Sequence, residues 1–67
     1  MLISSFTKPE LDLFRETCNF VGCEIPLFEM RSQGISLEEI AETLNMSVEN
    51  AKRISRKVNG KITKVIF

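Results

Sequence analysis

The sequence predicts an all-α domain, a small bundle of three to four helices closed by one long C-terminal helix. Three observations carry that expectation. Apolar residues recur at spacings of three and four over most of the chain, the period of helices that bury one face. Cap residues (Thr7, Ser36, Ser47) and stop residues (Asn19, Gly34, Asn45) divide the chain into helix-sized pieces. Hydrophobic residues make up 43% and charged residues 27%, with only three glycines and two prolines, the composition of a globular rather than a disordered chain. Sixty-seven residues give one domain, spanning 1–67, with a small core.

The first helix opens at Thr7-Lys8-Pro9-Glu10, where Thr7 caps, Pro9 fits the first turn and Glu10 completes a capping box. Leu11, Phe14 and Cys18 share one face, with Leu13 and Thr17 beside it, and Asn19 ends the helix. A second helix is expected from about Glu24 to Ser32, because Pro26 is tolerated only in a first turn, and Gly34 closes it. Val21-Gly22-Cys23 offers no good cap for its start. Phe20, Ile25, Leu27, Phe28 and Met30 supply apolar mass, read as core rather than as a ligand pocket.

Residues 36 to 58 spell two helices joined by a tight turn, at the spacing of a helix-turn-helix. Ser36 and Glu39 form a capping box, and Leu37, Ile40, Ala41 and Leu44 lay an apolar stripe over about two turns. Asn45 tolerates the left-handed conformation that stops a helix, Met46 turns inward, and Ser47 caps the next one. Ala41 and Ala51 provide small side chains where two steeply crossing helices approach. Asn59-Gly60 looks like a second stop, yet Ala51, Ile54, Val58, Ile62 and Val65 continue the stripe across it in phase. A chain reversal has no reason to keep that register. One helix is therefore expected from about Val48 to Ile66, with Gly60 the place for any bend.

Ser36, Glu39-Ile40-Ala41, Leu44, Ser47 and Asn50-Ala51, preceded by Gln33-Gly34-Ile35, resemble the DNA-binding domain of the LuxR/GerE type and, more loosely, the fourth region of sigma factors. The resemblance covers roughly residues 7 to 62. Asn50-Ala51 stand where that family commonly has Thr-Val, and Glu38 lies near a position that is often polar or basic. The resemblance implies a helix-turn-helix fold, insertion of the second motif helix into the major groove, and dimerisation through the terminal helix.

Formal charge is zero, from nine basic and nine acidic residues, but it is unevenly spread. From Ser47 onward six basic residues (Lys52, Arg53, Arg56, Lys57, Lys61, Lys64) stand against Glu49, a net of +5. Residues 1–46 carry three basic against eight acidic residues, a net of −5. Such segregation points to a basic face for an anionic partner; the plainer reading is a solvated helix surface. With no histidine and only Cys18 and Cys23, neither a metal site nor a disulfide framework is expected, and the thiols read as reduced. No catalytic base, phosphate loop, cofactor motif, secretion signal or membrane span is legible, so the expectation is a cytoplasmic non-enzyme.

The functional expectation is a sequence-specific regulator of transcription that binds double-stranded DNA, its recognition helix starting at about Ser47. Glu49, Lys52 and Arg53 are the candidates for base contacts. Ser36, Ser47, Asn50, Arg56 and Lys57 are the candidates for phosphate contacts. Ile62, Val65, Ile66 and Phe67 extend the apolar stripe and are candidates for a homodimer interface; the competing reading gives them to the monomer's own core. From another functional class, the alternative is an adaptor that docks on RNA polymerase or another regulatory protein through its acidic first half. The chain has no room for a separate ligand-sensing domain, and no small-molecule ligand is evident.

Overall fold

The computed structural model describes residues 3–66. A single 3-10 turn at Ile3–Ser5 precedes four helices: α1 (Lys8–Thr17), α2 (Glu24–Ser32), α3 (Leu37–Thr43) and α4 (Val48–Ile66). The all-α expectation holds, with α2 and α4 at the bounds read from the sequence. The molecule measures 29 × 18 × 18 Å. Its long dimension is that of α4, since nineteen residues at about 1.5 Å each span about 28 Å.

Each helix boundary has a local cause. At α1 the Glu10 carboxylate accepts the Thr7 backbone N–H at 2.8 Å and the Thr7 hydroxyl at 3.0 Å. Asn19 then takes φ +53°, the left-handed turn that ends the helix. The uncapped start of α2 is served by an unusual device, in which the Glu24 side chain reaches back to the Val21 N–H at 3.2 Å across a turn containing Gly22 at φ +56°. Its end is a Schellman motif: Gly34 at φ +83°, Gly34 N–H on Arg31 O, and Ile35 N–H on Met30 O at 3.1 Å. The turn after α3 repeats that motif with Asn45 at φ +57°, Asn45 N–H on Glu42 O and Met46 N–H on Ala41 O at 2.9 Å. Of the box at α3, the structure forms the half in which Ser36 Oγ accepts Glu39 N–H at 3.3 Å.

The core gathers Ile3, Phe14, Cys18, Leu27, Phe28, Ile40, Val58 and Ile62, all buried, with Phe6, Leu11, Phe20, Leu44, Ile54 and Val65 packed around them. Phe6 meets Phe14 edge-on at 4.9 Å, and Phe20 lies over Phe28 at 4.7 Å. α4 is the spine: it packs against α1, α2 and α3, and its stripe passes Asn59-Gly60 without interruption.

Two expectations about apolar residues change. Ile25 is 51% exposed and stays out of the core, on the outer flank of a face centred on Leu27 and Phe28, whereas Leu13, 49% exposed, lies beside the Phe14 face as its spacing implies. Ile62 is fully buried in the monomer core and is not surface available to a second copy. Of the other three interface candidates, Val65 packs partly against that core, Ile66 is 43% exposed, and Phe67 lies outside the described residues.

Candidate nucleic-acid interface

The α3–turn–α4 unit presents its first helical turns to solvent because its small residues absorb the contact behind them. Ala41 and Ala51 are buried at 2% and 0% exposure, which lets α3 and α4 pack closely. Ser47 caps α4 by accepting Asn50 N–H on its hydroxyl at 3.1 Å. Glu49, Asn50, Lys52 and Arg53 are all exposed in the first two turns, and Arg56 and Lys57 follow on the same outward side.

Within this surface the side chains differ in their freedom. Lys52 Nζ lies 3.9 Å from Glu49, a long and solvent-screened pair worth little. Asn50 folds back, its amide Nδ2 on Met46 Sδ at 3.7 Å. Ser36 and Ser47 are engaged as caps, though both remain exposed. Arg53, Arg56, Lys57 and Lys64 have no acidic partner within ion-pair distance among the described residues.

Lys61, one of the six basic residues from Ser47 onward, is engaged elsewhere. Its ammonium is 2.5 Å from the Glu24 carboxylate and donates to Asn19 O at 3.1 Å. Glu24 is itself buried, at 8% exposure. The hydrogen bond from Lys61 holds the Glu24 carboxyl below its ordinary value; burial opposes this, and the Val21 N–H and the Lys61 and Lys57 charges reinforce it. This cluster ties the C-terminal half of α4 to the α1–α2 corner. No local pattern in the sequence marks it, because its partners are 37 positions apart.

A second ion pair joins α1 to α2. Arg15 donates through Nε and Nη2 to the two Glu29 oxygens at 2.6 and 2.7 Å, and through Nη1 to Asp12 at 2.6 Å. The Arg15 hydrogen bond lowers the Glu29 carboxyl against the pull of burial. Beside it lies a groove of about 310 Å³ lined by residues of α1, α2 and their corner, with Phe20, Ile25 and Phe28 as its apolar part. Cys18 is a buried free thiol, pushed up by burial and pulled back by Lys61, whereas Cys23 is a free exposed thiol.

Among the described residues no three acidic or cysteine side chains converge as metal ligands, and no helix is long and apolar enough to cross a membrane. The chain matches no family model, no curated protein and no solved structure.

Proposed function

We propose that the domain is a sequence-specific double-stranded DNA-binding regulator of transcription, with the N-terminal half of α4 seated in the major groove. The observation that carries this reading is a long helix braced from behind by the core, whose outward face bears Arg53, Arg56, Lys57 and Lys64 without acidic partners among the described residues. A major groove about 12 Å wide admits a helix, and exposed residues in the first turns reach base edges first. Arg53 is the leading candidate for a guanine contact, and Glu49 and Lys52 flank it. Arg56 and Lys57 lie further along, where they meet phosphates. Glu38, Glu39 and Glu42 on α3 are exposed acids that weaken affinity for a polyanion.

Pairing of two copies on a palindromic site would use Ile66 and the open edge of Val65, since Ile62 is withdrawn into the core. The adaptor reading draws on a different surface: the groove at the α1–α2 corner, lined in part by Ile25, which is more than half exposed.

Fluorescence anisotropy with labelled duplexes over a salt series tests the proposal. Each phosphate contact contributes about −0.9 to the slope of log affinity against log salt. Arg56→Ala or Lys57→Ala should flatten the slope and weaken all sequences alike, whereas Arg53→Ala should relax discrimination at one base position by about 1–3 kcal/mol. Absence of salt-dependent binding to any duplex would remove the DNA reading in favour of the adaptor.

A further inference from the structure

Gly60 sits in the middle of α4, exposed, and nothing lies within 4 Å of where its Cβ would be. Its φ is helical, the helix runs through it unbroken, and no neighbouring element of the fold requires a missing side chain. Glycine is the poorest helix former after proline, so its presence there weakens α4 with no intramolecular return.

Helical spacing supplies the surroundings. Positions three and four residues away are surface neighbours, which places Arg56 and Lys57 before Gly60 and Lys64 after it. All three are exposed and without acidic partners among the described residues, and Lys61, the cation next to them in sequence, is drawn to Glu24. The result is a bare stretch of helix backbone ringed by three cations. Gly60 also lies eleven residues beyond Glu49, about 16 Å along the axis at about 1.5 Å per residue. A helix whose first turn is at the base edges of a groove about 12 Å wide leaves that groove further along its length, where a sugar-phosphate strand flanks it.

We infer that Gly60 is a notch for a backbone phosphate of the DNA duplex, with Arg56, Lys57 and Lys64 as its charged rim, so that the strand crosses α4 in contact with the helix itself. This inference rests on the DNA reading. A side chain at position 60 would hold the phosphate away from all three cations at once, whereas removal of one cation leaves the other two in place.

Gly60→Ala and Gly60→Leu, assayed by anisotropy on a short random-sequence duplex and by thermal unfolding, test it. Both variants should melt at higher temperature than wild type, because each restores helix propensity in open space. Gly60→Leu should bind more weakly by at least about tenfold, equivalent to about 1.4 kcal/mol, with a salt slope flatter by about 0.9 for each phosphate that is no longer neutralised. Gly60→Ala should fall between it and wild type. If wild type binds and both variants bind equally well with unchanged slopes, the notch is refuted while the DNA reading stands. A wild type that binds no duplex overturns both.

Discussion

At the scale of single residues, the pair of Glu24 with Lys61 joins α2 to the C-terminal half of α4. A carboxylate at 8% exposure survives burial only because the ammonium and the Val21 N–H satisfy it. Since the folded carboxyl lies below its ordinary value, its contribution is complete above the unfolded value of about 4.3 and is lost as pH falls through the folded one. Glu29, lowered by Arg15, acts in the same direction. Glu24→Gln should therefore cost about 1–2 kcal/mol at pH 7, toward the low side for a charge-assisted bond because Lys61 is a third exposed. Urea unfolding of wild type and variant from pH 7 to about pH 3 should show the gap closing at the acid end. A gap that persists there would mean that the carboxylate charge is not its source. In the sequence Glu24 is an ordinary first-turn acid and Lys61 one more cation on a basic helix. Only a pairing across 37 positions reveals either role.

At the scale of elements, the turn and the two alanines position α4. Asn45 holds φ +57°, a conformation that costs most residues about 1–2 kcal/mol and that asparagine and glycine visit at lower cost. Asn45→Ala should lower stability by about 1 kcal/mol and Asn45→Gly should be nearly neutral, measured by thermal melts of the two variants side by side. Ala51 has no exposed surface, so a larger group there must displace its neighbours. Ala51→Leu should cost about 1–3 kcal/mol and also impair duplex binding by shifting α4. Unchanged melting and binding would contradict the close helix packing. These features are legible in the sequence because caps, left-handed turns and the 3.6-residue stripe are properties of neighbouring residues. The same stripe carries α4 across Asn59-Gly60, where a glycine read in isolation suggests a stop.

At the scale of the molecule, the small core makes the end of α4 indispensable to the monomer. At about 0.05–0.15 kcal/mol per residue, a domain of this length has about 3–10 kcal/mol of stability. Ile62→Ala, which empties a fully buried site, should cost about 2–5 kcal/mol and leave a large unfolded fraction. A chain truncated after Lys61 should lose its helical circular dichroism. If it instead remained folded and only changed its sedimentation from dimer to monomer, Ile62 would belong to an interface after all. The division of charge along the chain, −5 before Ser47 and +5 from it onward, also belongs to this scale: under the proposed DNA reading it favours the approach of a polyanion to α4.

Local chemistry was enough to determine the helical class, the caps and stops, the unbroken α4, and the outward position of Arg53, Arg56 and Lys57, because each follows from spacings of four residues or fewer. Tertiary packing alone decided that Lys61 pairs with Glu24, that Ile62 is core while Ile25 is not, and that Gly60 faces open space. The physical reason is that a helical period marks which residues share a face, but not which faces meet. A buried charge or a vacant surface position acquires its meaning only from the element placed opposite it.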